Sequence, residues 1–73
     1  MNAPLDGIVK ISDGGQEYSA TFRVIGGVVS VSPSIGADAD VNIDNYDKPA
    51  DEIARIVLQS RIDERVRGAK PTF

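Results

Sequence analysis

Two diglycine steps, Gly14-Gly15 and Gly26-Gly27, divide the first half of this 73-residue chain into three short runs: GIVKISD, QEYSATFRVI and VVSVS. The runs are rich in β-branched and aromatic residues, which suit strands. Glycine accepts the positive φ that the two-residue primed turns of β-hairpins require, so each pair reads as a hairpin loop. That reading fixes the register. With Gly26-Gly27 as the loop, Val24 stands opposite Val29 and Phe22 opposite Val31; with Gly14-Gly15, Ile11 meets Tyr18, Val9 meets Ala20 and Gly7 meets Phe22. Both hairpins then send their larger apolar residues to one side, an agreement that a one-residue slip would destroy.

The expected inner face comprises Leu5, Val9, Ile11, Tyr18, Ala20, Phe22, Val24, Val29 and Val31. The outer face carries Lys10, Ser12, Glu17, Ser19, Thr21, Arg23, Ser30 and Ser32, with Ile8, Ile25 and Val28 near one end. A sheet apolar on one side and polar on the other is the pattern of an antiparallel meander with one face covered. The outer side reads either as solvated β surface or as a flat contact surface for a second subunit. The segment PSIGA (33–37) is expected to be a loop bending at Gly36, and ADVNID (39–44) a shorter fourth strand at an edge. Its acidic side chains would discourage pairing with other chains.

What covers the sheet is KPADEIARIVLQSRIDERVRG, residues 48–68, the one segment with a sustained helical period. Lys48, forced out of the α region by the following proline, is the expected N-cap, with Pro49 as first helical residue. Asp51 and Glu52 fall in the first turn, Arg65 and Arg67 in the last, the order that a helix dipole favours. Gly68 suits the left-handed position beyond the end. Asp51–Arg55 and Asp63–Arg67 are i,i+4 pairs, each worth ~0.3–0.5 kcal/mol. Ala50, Ile53, Ala54, Val57, Leu58 and Ile62 share one arc, the buried face. Arg61 lies near its middle. Its stem is expected on apolar surface with its head in water; the rival is an arginine placed for an anion or a partner carboxylate. Ile56 points the other way and is expected to be exposed.

The chain thus reads as α+β: a three- to four-stranded antiparallel β-meander (strands about 5–12, 16–25, 28–32 and 39–44) and one C-terminal α-helix (about 49–67) packed on one face, ββββα. It is expected to be a single small domain with tails 1–4 and 69–73. With no cysteine and no histidine, disulfides and the usual transition-metal ligands are missing. An apolar fraction of 41% is too high for a disordered chain, and no apolar run approaches a membrane span. The first residues, MNAPLDG, lack the basic start and apolar core of a secretory signal, so a cytoplasmic location is expected.

Several chemistries can be tested against the residues. Asp38, Asp40, Asn42 and Asp44 match the opening of a calcium loop, but Ile43 stands where that loop needs its glycine and Pro49 where it needs a bidentate glutamate. Strand alternation explains the same spacing, so no metal is expected. No histidine base, cysteine nucleophile, G-x-S-x-G or phosphate loop is present. Asp44, Tyr46 and Asp47 are the remaining acid–base candidates, and nothing gathers them. No enzyme activity, no catalytic residue and no cofactor are expected.

The charge is divided along the chain. Residues 38–52 carry six acids against Lys48, a balance of −5, whereas 55–70 carry five bases against Asp63 and Glu64, a balance of +3. Arg55, Arg61, Arg65, Arg67 and Lys70 make nucleic acid the alternative partner. It is not favoured, because the chain is acidic overall and its inner aromatics are unavailable for base stacking. An acidic inhibitor imitating nucleic acid is a further variant. The preferred reading is a protein partner or a homo-oligomer, with Ile8, Ile25, Val28, Ile56, Arg61 and Arg65 as the candidate interaction surface.

Tyr18, Phe22, Gly26, Gly27, Val29, Val31 and the Ile53-Ala54-Arg55-Ile56-Val57-Leu58 run give the chain a pattern of aromatic strand, glycine turn, V-x-V strand and amphipathic helix. In this it resembles short uncharacterised bacterial proteins built as a strand meander plus helix. The resemblance implies the fold and no activity.

Overall fold

Both diglycine steps form tight turns in which each glycine takes a positive φ: 60° and 81° at Gly14-Gly15, 56° and 78° at Gly26-Gly27. In this computed structural model, which describes residues 6–45 and 48–68, those turns join β1 (Asp6–Asp13), β2 (Gln16–Ile25) and β3 (Val28–Pro33). A fourth strand, β4 (Ala39–Asn42), completes one antiparallel sheet in the order β1-β2-β3-β4. A short 3-10 turn, Ile43–Asn45, precedes the single helix α1 (Ala50–Arg67), which packs on one face of the sheet.

The register is the one that the turns require. Val24 opposes Val29, Phe22 opposes Val31, Ile11 opposes Tyr18, Val9 opposes Ala20 and Gly7 opposes Phe22. Val9, Ala20, Phe22, Val29, Val31 and, from β4, Val41 are buried together. Ile11, Tyr18 and Val24 border them half-buried. Leu5, the tails, Tyr46, Asp47 and Lys70 lie outside the described residues. From the helix come Ala50, Ile53, Ala54, Val57, Leu58 and Ile62, each at most 2% exposed. Burying a side chain the size of Ile53 or Leu58 contributes about 1.5–3 kcal/mol, so the helix and the sheet hold each other.

Three local readings need correction. The fourth strand stops at Asn42 instead of running to Asp44. The Asn42 side-chain oxygen accepts the Asp44 N–H at 2.9 Å, and the Ile43 N–H donates to Gly27 O at 2.9 Å; this Asx turn carries the chain off the sheet. The helix begins one residue later than expected. Pro49 has an extended ψ of 159° and acts as N-cap, its carbonyl accepting from Ile53 N at 3.1 Å, with no side-chain cap. Lys48 instead lies 3.8 Å from Glu52. Finally, Arg55 does not join Asp51; it donates to Lys10 O at 3.0 Å. At the other end Gly68 is left-handed (φ 69°), and its N–H caps Asp63 O.

The turn at Gly26 offers a clean test of the register constraint, because a Cβ there would meet nothing within 4 Å. Gly26→Ala is therefore expected to cost about 1–2 kcal/mol through backbone conformation alone, and Gly26→Asn distinctly less. Urea unfolding of the two variants checks this ordering.

Candidate functional site

The candidate surface residues do not form one patch. Ile25 and Val28 are cross-strand neighbours beside the second turn, with Ile25 62% exposed. Ile8 is 57% exposed but stands across from Thr21. The Asp6–Arg23 pair intervenes, so Ile8 sits roughly 13 Å along the strand direction from Ile25. Ile56 and Arg65 are on the helix, over the opposite face of the sheet. Ile56 is half-buried instead of exposed, because it lines a shallow groove between the helix and β1. The groove encloses about 540 Å³ and is walled by Ile11, Lys48, Glu52, Arg55, Ile56 and Gln59. Its surface is mainly apolar and it is open to solvent, and of its polar lining residues Lys48 and Glu52 pair with each other while Arg55 donates to Lys10 O.

Arg61 corrects a second expectation. Its head is not in water: the residue is 5% exposed. Nε donates to Ala37 O at 2.8 Å and one terminal nitrogen donates to Glu64 Oε2 at 2.8 Å. The stem lies against Gly36, where a Cβ would come within 2.8 Å of Arg61 Cδ. Gly36 is also left-handed, at φ 80°. Ile35 beside it packs on the core. Arg61 thus clamps the β3–β4 connection onto the helix, and its neutralising partners are internal. Gly36 was legible as a bend; that the bend makes room for an arginine was not. Ser60, also buried, has a hydroxyl with no hydrogen-bond partner among the described residues.

The basic helix exit is likewise drawn inward. Arg67 grips Asp13 through one terminal nitrogen, at 2.8 and 2.9 Å to the two carboxylate oxygens. Its other terminal nitrogen donates to Asp63 at 2.8 Å, an oxygen that Gln59 also reaches at 3.0 Å. The hydrogen bond to Asp13, followed by that residue's charge, holds the Arg67 guanidinium above its ordinary pKa. This network ties the first hairpin turn to the end of the helix. Arg65 remains exposed in the last turn.

The acidic segment is dispersed. Asp38, Asp40, Asn42 and Asp44 are exposed. Asn42 spends its side-chain oxygen on the backbone. Among the described residues no three carboxylates gather as they would to hold a metal ion. Among the described residues no helix is long and apolar enough to cross a membrane. Comparison of the chain with protein-family models, with curated proteins and with solved structures finds no match in any of the three.

Two helix substitutions separate the roles of the buried polar groups. Arg61→Ala removes the hydrogen bonds to Ala37 O and Glu64, and is expected to cost about 2–3 kcal/mol. Ser60→Ala removes a hydroxyl that no described residue satisfies, and is expected to be neutral or stabilising by up to ~1 kcal/mol. Thermal or urea unfolding distinguishes the opposite signs.

Proposed function

We propose that this protein is a small non-catalytic interaction or assembly module that associates with copies of itself. The observation that carries this reading is the one-sided sheet: the helix covers the inner face, whereas the outer face lies open and presents Ile8 and Ile25 to solvent. Self-association would remove such groups from water and supplement the limited core of a 73-residue chain. The groups that could have served chemistry are engaged structurally. Arg61 holds a loop, Arg67 holds a turn, and beside the groove Lys48 pairs with Glu52 while Arg55 donates to Lys10 O.

The alternative reading, a nucleic-acid-binding accessory using the basic helix exit, draws on fewer residues than the charge count offered. Arg61 is buried, and Arg67, although half exposed, is held by two aspartates, so Arg65 is the last-turn arginine whose charge no described ion pair engages. Light scattering or sedimentation from low micromolar to near-millimolar protein is expected to show reversible growth in mass. A chain that stays monomeric throughout that range would remove the assembly reading. Retention on DNA or RNA at low salt, falling steeply as salt rises, would favour the alternative; no retention is expected.

A further inference from the structure

Among the described residues no strand pairs with the outer edge of β1, and the polarity of that edge can be read from the hydrogen bonds. Ser19, the β2 partner of Lys10, directs its backbone toward the β3 side: its carbonyl accepts Ser34 N at 2.7 Å and its N–H donates to Ser34 Oγ at 3.1 Å. Directly opposed residues in an antiparallel pair exchange both backbone bonds or neither. Lys10 therefore turns its N–H and C=O away from β2, and Arg55 reaches that carbonyl from outside the sheet. By the two-residue alternation, Asp6, Ile8 and Ser12 also present their backbone groups at the free edge. The same residues carry their side chains on the uncovered outer face, where all four are exposed.

Along this edge the outward residues run Asp6, Ile8, Lys10. That order is complementary to itself when reversed. We propose that the β1 edge is the site of self-association, a second copy adding antiparallel about a two-fold axis at Ile8 to make one continuous sheet across both copies. This rests on the assembly reading above and names its surface. In that register Ile8 faces Ile8 of the second copy, and each Lys10 faces Asp6 of the other, giving two symmetry-related ion pairs around an apolar centre. These three facing pairs are all of the type that exchanges both backbone bonds, about six hydrogen bonds in the seam. Neighbouring registers lose the charge match: an axis at Val9 sets Lys10 against Ile8, and an axis at Lys10 sets the two lysines together. A carbonyl has two lone pairs, so Lys10 O can keep Arg55 and still accept from the second copy.

The opposite edge does not offer this. β4 has four residues, ends in the Asx turn at Asn42, carries Asp40 and is flanked by Asp38 and Asp44, acidic groups that would repel their own copies. The groove with Ile11 and Ile56 opens on the β1 side, since Arg55 both lines it and reaches Lys10 O. An edge seam is small among specific interfaces, so the dimer is expected in the micromolar range or weaker.

Sedimentation equilibrium of the full chain tests the register. Lys10→Glu and Asp6→Lys, each setting like charges opposite one another twice, are expected to weaken dimerisation about tenfold or more. The double variant Asp6→Lys/Lys10→Glu restores the match with exchanged signs and is expected to recover it. Ile8→Pro removes a donor that β2 does not use, so it should abolish dimerisation while circular dichroism stays that of the wild type. Wild-type dimers undisturbed by the single charge reversals, or not restored by the double exchange, would overturn this seam and leave self-association through another face. A wild-type chain monomeric at every concentration would overturn the seam and the assembly reading together.

Discussion

Hairpin register is the constraint from which the other features descend. With both glycines of each turn at positive φ, the flanking strands can pair in one alignment only, and every odd–even choice along three strands is then made at once. Because side chains alternate, that single choice gathers Val9, Ala20, Phe22, Val29 and Val31 beneath the sheet. The 18-residue helix, like most helices in proteins, draws its stability chiefly from packing an amphipathic face and not from propensity. It persists because a prepared apolar surface receives its stripe. Even Gly7, with an ordinary backbone, follows from the register: the Phe22 ring comes to 3.0 Å of where a Cβ at position 7 would be.

Arg61 shows how the remaining gap is closed. The helix packs on β1, β2 and β3 and leaves the β3–β4 connection to be fastened separately, and a charged side chain does the fastening. Burying a guanidinium is costly unless its donors are satisfied. Here Ala37 O and Glu64 lie within 2.8 Å, and the absence of a side chain at Gly36 lets the stem pass. Charge that the sequence distributes over the helix exit is consumed in this way, by Arg61 on one flank and by Arg67 on Asp13 on the other.

Short-range physics was readable from the chain; long-range partners were not. The diglycine turns gave the strand pairs, and the helical period gave the buried arc from Ala50 to Ile62, because both depend on residues close in sequence. Asn42 ending its strand was missed, since an alternating pattern continues through Ile43 whether or not a side chain turns the backbone. Arg61 was misplaced because a wheel reports which way a residue points and not what awaits it 24 positions away. For the candidate surface the same limit held. Ile8 and Ile25 share a face by parity, yet the register puts a charged pair between them. Exposure at Ile8 and Ile25 was legible; their separation needed the pairing across strands.

A four-stranded open sheet has two edges, and a helix laid over one face covers neither. The two edges of this protein are treated differently. At β4 the ladder is cut short by the Asn42 turn, and Pro33 on β3, lacking an N–H, stands just beyond the last β3–β4 pair at Val31–Ala39. Pairing there is limited by covalent structure and by like charge. At β1 the strand is eight residues long, and one described side chain, Arg55, reaches across to a single carbonyl on it. Among the described residues the other outward backbone groups of that edge have no strand partner, and a lysine and an aspartate are spaced symmetrically about an isoleucine. If the proposed pairing at β1 holds, the difference between the edges limits growth: a two-fold seam uses the β1 edge of both copies, and the acidic, shortened β4 would not continue it, so edge pairing would close at two copies instead of running on into a fibre.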